Sequence, residues 1–159
     1  MVLAILFSVS SRSYALPCQS VIEVVPLLEL RAAARSQPWL AGTFAYHGAL
    51  VSVVDACQLL GGYSCPRRLS SRVAIVHCSL PDAGEVIVGI LAERMTAVRR
   101  LEGPTLVSTD SSASSCLGSV VKEGSELVQL VDVEGFIRLT RPLSLDAPQL
   151  LAGGELDSN

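Results

Sequence analysis

Residues 39–60 read WLAGTFAYHGALVSVVDACQLL and decide the fold class of this chain. Gly42 precedes a turn at His47-Gly48, and the β-branched run from Leu50 to Val54 is typical of a strand. Asp55 stands where a helix N-cap belongs, ahead of a short helix predicted for Ala56 to Leu60. The segment indicates no nucleophile, no metal cluster and no phosphate-binding loop. It predicts a scaffold that acts by binding.

The composition favours a β-rich protein of one domain, or of two small packed halves. The chain has 159 residues, of which 50% are hydrophobic and only 4% aromatic, and valine dominates the apolar runs. Its net charge is -3, and Lys122 is the only lysine among twelve basic residues. No basic patch with interleaved aromatic residues occurs, so nucleic-acid binding has no support.

The cysteines favour buried thiols over catalysis or metal binding. They form no CxxC pair and lack the spacing of zinc ligands, so we expect no metal and no cofactor. Most adjoin apolar runs, where a free cysteine behaves as a small hydrophobe, and this favours a reducing compartment. His77 and Cys78 are neighbours on a predicted strand, so they point to opposite faces and cannot cooperate. The five cysteines are Cys18, Cys57, Cys65, Cys78 and Cys116.

The N-terminal run MVLAILF resembles the apolar core of a signal peptide, but no basic residue precedes it and Arg12 follows. We predict a hairpin instead, with strands Val2 to Val9 and Tyr14 to Leu16. No segment has the ~18 apolar residues of a membrane span, so we expect no direct membrane insertion.

The rest of the chain alternates short strands with turns. Residues 27–37 are compatible with a helical turn, residues 63–71 form a polar loop, and residues 103–115 are expected to be mobile. A tail at residues 141–159 is predicted to be flexible. Further strands are predicted at Val21 to Val25, Val73 to Cys78, Glu85 to Leu91, Met95 to Leu101, Ser119 to Lys122 and Leu127 to Val131.

Two segments repeat one pattern. Leu50 to Asp55 and Leu127 to Asp132 each follow a glycine turn, form a strand and end in an aspartate that caps a short helix. Two halves built from the same unit predict a duplicated β-barrel.

Four motifs in order resemble the CheW-like family of chemotaxis coupling proteins. The central one is residues 39–60. Tyr14 to Pro17 with Val21 to Val24 is similar to the early strand pair of the family, and VIVGILAERMTAV (residues 86–98) is similar to its strand–glycine–strand segment. Leu117-Gly118 with Leu127 to Phe136 is similar to its closing strand and helix.

The resemblance implies a mainly β fold of two intertwined five-stranded SH3-like barrels with short helices. It implies one CheW-like domain over residues 1–140, whose two pseudo-repeated halves have signatures near residues 39–60 and 117–137. It also implies a cytoplasmic, non-catalytic adaptor, recruited to membrane-associated receptor arrays. Such an adaptor joins the cytoplasmic tip of a methyl-accepting chemoreceptor to the regulatory domain of a CheA-type histidine kinase.

By the same resemblance, seven residues are candidates for partner contact. The family usually has arginine where this chain has His47, and proline where it has Ser52. Arginine always carries charge, whereas histidine near neutral pH is mostly uncharged, so a different receptor is one implication. The candidates are Val21, Glu23, Gly42, His47 and Val98 for the receptor, and Val73 and Ile75 for the kinase.

Two alternatives remain at this stage. A divergent coupler could serve a pathway other than motility, such as surface sensing or a second-messenger output. A small β-barrel enzyme with a cysteine nucleophile would require an exposed thiol of low pKa.

Overall fold

The computed structural model describes residues 1–27, 29–32, 37–106 and 116–140, and it confirms a mainly β fold. The predicted tail at 141–159 and most of the predicted mobile loop lie outside the described residues. Its helical segments are a 3-10 turn (Cys18–Ser20), α1 (Ala56–Gly61) and α2 (residues 133–140). The strands are β1 (Val2–Val9), β2 (Arg12–Pro17), β3 (Val21–Pro26), β4 (Leu40–Tyr46), β5 (Ala49–Asp55), β6 (Arg72–Leu80), β7 (Gly84–Leu101), β8 (Thr105–Leu106), β9 (Leu117–Glu123) and β10 (Glu126–Val131).

The first barrel has the strand order β3-β6-β7-β5-β4. It closes where the chain after β3 meets β4: the Arg31 N–H donates to the Thr43 carbonyl at 2.8 Å, and the Thr43 N–H donates back at 2.9 Å. Gly42 allows this approach, since a Cβ there would lie 2.6 Å from the Arg31 carbonyl oxygen. The predicted helical turn is therefore absent at Arg31, and residues 33–36 lie outside the described part.

The second barrel follows the order β7-β1-β2-β10-β9-β8. β1 and β2 form the predicted hairpin, from the Val9–Arg12 pair to the Ala4–Pro17 pair. The middle of β1 is buried on both faces: Ala4 and Leu6 line the core of this barrel, while Ile5 and Phe7 belong to the larger hydrophobic cluster. Burial on both faces explains why its sequence is an unbroken apolar run.

One long strand joins the two barrels. The sequence predicts two strands at residues 85–91 and 95–101, but this is wrong, because β7 runs without interruption over 18 residues. Its first half pairs with β6 and β5, and its second half pairs with β1. The change of partner coincides with a register shift between Leu6 and Ser8 of β1, close to Arg94, whose φ is +53°.

The predicted repeat is present as two equivalent hairpins. β4–β5 and β9–β10 are antiparallel pairs, and β5 and β10 each also pair in parallel with a third strand, β7 and β2. The N–H of Asp55 donates to the Trp39 carbonyl at 2.7 Å, and that of Asp132 donates to the Cys116 carbonyl at 2.9 Å. Each aspartate then caps a helix, α1 or α2.

No helix in the described parts of the chain is both long and apolar enough to cross a membrane.

Candidate partner-binding surfaces

Two of the predicted receptor residues contact the same tyrosine, Tyr46, at one exposed end of the first barrel. The Tyr46 hydroxyl donates to the Glu23 carboxylate at 2.7 Å, and the Tyr46 ring meets the His47 ring edge to face, with 4.3 Å between centroids. The bond to Glu23 raises the pKa of Tyr46. We call Glu23, Tyr46 and His47 the polar corner. Tyr46 was not a sequence candidate, although its place beside the turn could have suggested it.

The backbone of the turn determines how His47 is presented. His47 has a φ of +49° and Gly48 one of +83°, and these two residues alone connect β4 to β5. Positive φ at both central positions is the pattern of a type I′ hairpin turn, and histidine is one of the side chains that tolerate it. The His47 side chain is exposed beyond the strand ends. It is therefore available to a partner as well as adapted to the turn.

Gly42 and Val21 contact other parts of the first barrel. Gly42 is buried on β4 and has a φ of +148°, and a Cβ would also lie 2.8 Å from the Cβ of Leu30. Val21 is half-buried at the start of β3 and packs against the larger hydrophobic cluster. Gly42 therefore permits the close approach that closes the barrel, and Val21 packs against its core.

Val98 lies on the half of β7 that belongs to the second barrel. It pairs with Ile5 of β1, and its side chain is 58% exposed. Leu3, two residues before Ile5 on the same face of β1, is 48% exposed. Val98 and Leu3 thus form a small exposed apolar patch at the margin of the face that contains the buried Ile5.

The predicted kinase residues are buried. Val73 and Ile75 are 1% and 0% exposed, in the middle of β6 between β3 and β7. Val73 packs against Gly89, where a Cβ would lie 2.9 Å from a Val73 methyl group. The side chains of Val73 and Ile75 are therefore part of the hydrophobic core. If β6 contacts a partner, other residues of the strand would make that contact.

The exposed end of β6 has a polar cluster. The Ser79 hydroxyl donates to the Glu85 carboxylate at 2.8 Å, and the His77 ring nitrogen Nδ1 lies 2.7 Å from its other oxygen. The bonds from Ser79 and then His77 lower the pKa of Glu85. Cys78, between these two polar residues, is half-buried, and burial raises the pKa of its thiol.

Two cysteines that are eight residues apart come together beside Asp55. Both oxygens of the Asp55 carboxylate accept hydrogen bonds from backbone N–H groups. Oδ1 accepts from Cys57 (2.9 Å) and Gln58 (3.3 Å), and Oδ2 accepts from Cys65 (2.9 Å). The side-chain oxygen of Asp55 and both sulfurs lie within 4.8 Å of one another. The sequence predicts the cap but not this cluster, because the spacing of the two cysteines matches no metal motif.

The cluster does not have the properties of a cysteine nucleophile. Contact with the Cys57 thiol lowers the pKa of Cys65, and the same contact raises the pKa of Cys57. Cys65 is 6% exposed and Cys57 is 0% exposed. A reactive thiol must reach its substrate, and burial of this pair prevents that.

Comparison with known proteins agrees with this architecture. The sequence matches the CheW-like domain family over residues 3–141. The structure is similar to that of the scaffolding protein TtCheW from Thermoanaerobacter tengcongensis, with a TM-score of 0.66 and 18% identity, over 82% of this chain and 83% of that chain. No curated protein sequence matches significantly. Because the family match spans most of the chain, this protein belongs to the CheW-like domain family.

Proposed function

We propose that this protein is a non-catalytic cytoplasmic adaptor that couples the tip of a methyl-accepting chemoreceptor to a CheA-type histidine kinase. The observation that carries the proposal is the family match over residues 3–141, together with the two-barrel architecture. The scaffolding protein TtCheW, which has a similar fold, supports an adaptor role. Recruitment to a membrane-associated receptor array would follow from binding the receptor.

The receptor contact is assigned to Val21, Glu23, Gly42, His47 and Val98. A receptor tip is helical, and a helix binds a groove through apolar contacts while a few polar residues set its register. Val98 offers the exposed apolar contact, and the polar corner offers the carboxylate and the imidazole. Val21 and Gly42 act indirectly, Gly42 by permitting the closure of the barrel and Val21 by packing against its core.

The kinase contact is assigned to β6, the strand of Val73 and Ile75. Because both side chains are buried, their role is to hold the strand in position from within the barrel. The groups that touch the kinase would then belong to the exposed end of the strand, at His77 and Ser79 with Glu85.

His47 favours a second version of the same function. An exposed imidazole at a two-residue turn, in place of the arginine usual in the family, suits a divergent coupler with its own receptor. Such a coupler could serve surface sensing or a second-messenger output. Neighbouring genes distinguish the two versions: flagellar genes favour motility, and a diguanylate cyclase favours the other pathway.

The receptor assignment is tested by a charge placed on the apolar patch. We expect Val98→Glu to weaken binding to the receptor's cytoplasmic tip by at least ~10-fold, which is about 1.4 kcal/mol. Leu127→Glu is the matched control, since Leu127 is 56% exposed on β10 and Val98 is 58% exposed. Both variants should keep an unfolding midpoint close to that of the wild type, because both sites are exposed. Equal affinities of the two variants for the receptor tip would refute the assignment.

A further inference from the structure

The cluster of Asp55, Cys57 and Cys65 contains more than a helix cap requires. The repeat provides an internal comparison, because Asp132 caps α2 through the Gly135 N–H at 3.3 Å. The position that corresponds to Cys57, two residues after the cap, is occupied there by Glu134. One half of the duplicated fold therefore caps its helix without thiols. The pair of sulfurs in the other half is an addition.

The surroundings of the two thiols are those of a ligand site. Cys57 comes from the first turn of α1 and Cys65 from the loop after it, and both are more than nine-tenths buried. The Cys57 sulfur also lies 3.7 Å from Oε2 of Glu93, a carboxylate that accepts a hydrogen bond of 2.6 Å from Tyr63. Two sulfurs and the Asp55 carboxylate thus converge beside α1, and the Glu93 carboxylate of β7 contacts one of these sulfurs.

We propose that Asp55, Cys57 and Cys65 bind a thiophilic divalent cation, Zn²⁺, with Glu93 as the nearest source of a fourth ligand. Soft thiolates select zinc over the hard cations. With bonds of about 2.3 Å to sulfur and 2.0 Å to oxygen, tetrahedral zinc needs about 3.8 Å between sulfurs and about 3.5 Å between sulfur and oxygen. The three ligand atoms lie within 4.8 Å of one another, so no pair has to close by more than about 1.3 Å.

Asp55 can serve as cap and ligand together. A carboxylate offers about four lone-pair sites, and the three backbone N–H groups occupy two on Oδ1 and one on Oδ2. One site on Oδ2 remains for the metal. The N–H bonds also fix the backbone of both cysteines, so the site is preorganised by the same residue that completes it.

Binding must release protons from the thiols. A thiol coordinates zinc as the thiolate, so each Zn²⁺ that binds forms two Zn–S bonds and sends two protons to solvent. No oxidant or reductant is consumed. The expected product is a closed, structural site that fixes the loop after α1 to the first barrel. It does not depend on the adaptor function.

The test is to refold the full-length protein with Zn²⁺ and a non-thiol reductant, remove unbound metal by gel filtration, and count the metal per chain. We expect one zinc per chain in the wild type and loss of that zinc in Cys57→Ala and Cys65→Ala. Cys116→Ala is the matched control, a buried thiol outside the cluster, and it should keep its zinc. Circular dichroism confirms that each variant is folded.

A second measurement keeps the proposal testable if a variant fails to fold. Co²⁺ added to the wild type should give thiolate-to-cobalt charge-transfer absorption, and zinc uptake in weak buffer should release two protons per ion. The proposal is overturned if folded, reduced wild type retains no metal and shows no charge-transfer band. It is also overturned if both cysteine variants keep the metal, or if a Cys57–Cys65 disulfide persists under the reductant.

Discussion

Asp55 and Asp132 occupy equivalent places in the repeat, but they should contribute very different amounts to the free energy of unfolding. Asp55 is 6% exposed and accepts three backbone hydrogen bonds, two of them from the buried N–H groups of Cys57 and Cys65. Asp132 is exposed and accepts one side-chain bond of 3.3 Å, from Gly135. Replacement of each aspartate by alanine therefore compares a buried network with a solvated cap.

The magnitude follows from the donors left without acceptors. A buried N–H without an acceptor costs about 1–3 kcal/mol, so Asp55→Ala, which leaves the buried N–H groups of Cys57 and Cys65 without an acceptor, should lower the free energy of unfolding by about 2–6 kcal/mol. For Asp132→Ala, water can replace the lost acceptor, and about 1 kcal/mol is expected. Asp55→Asn retains one carbonyl oxygen and should fall between the two. A total stability near the middle of the usual range, about 10 kcal/mol, would leave all three variants folded.

The assay is urea unfolding of each variant in buffer that contains a chelator, with the transition monitored by circular dichroism. The chelator makes the result independent of the zinc proposal. The slope of the free energy against urea should be unchanged, and the midpoint should move. If Asp55→Ala cost no more than Asp132→Ala, the reasoning from buried hydrogen bonds would be refuted.

Two further predictions concern Gly42 in the first barrel and Glu123 in the second. Gly42→Ala should destabilise by about 2 kcal/mol more than Gly48→Ala in urea unfolding, because its Cβ would overlap a backbone carbonyl whereas Gly48 faces open space. Equal losses would contradict the account of how the first barrel closes. Glu123→Gln should reduce the hydrogen-exchange protection of Gly103 and Glu102, whose N–H groups donate to this carboxylate at 2.8 and 2.6 Å. These bonds, first that of Gly103, lower the pKa of Glu123, so wild-type protection should be full above the unfolded pKa of about 4.5 and fall as pH drops through the folded value. Protection of Gly103 and Glu102 that stays full as the pH is lowered until the protein unfolds would contradict this assignment.

The elements that the sequence predicts well are those with local signals. The β1–β2 hairpin, the His47-Gly48 turn and the Asp55 cap each depend on a few adjacent residues, and the structure has all three. The repeat was visible for the same reason, since each copy is one continuous segment. Family resemblance supplied the pairing of these segments into two barrels.

Features that depend on distant contacts were not predictable. The sequence predicts two strands within β7, separated by a stretch that contains Glu93 and Arg94, yet the strand only changes partners there. The bridge at Arg31 overrides the helix-compatible composition of its segment. Cys57 and Cys65 meet only because Asp55 holds the N–H of each, which no spacing rule describes.

The candidate site was predicted unevenly for a similar reason. Glu23 and His47 lie together at the polar corner, but the residue that links them, Tyr46, has no motif of its own. Val73 and Ile75 belong to a continuous apolar run, and such a run is typical of a strand that is buried on both faces. Burial on both faces moves the expected kinase contact from these side chains to the strand end.

The most direct test of the adaptor function is titration calorimetry of the full-length protein against the regulatory domain of the histidine kinase encoded nearby. The account predicts a saturable complex of about one to one with micromolar or tighter affinity, which is about -8 kcal/mol or stronger. No heat at two temperatures, and no complex by crosslinking of the same folded samples, would contradict the proposal that this protein couples to such a kinase.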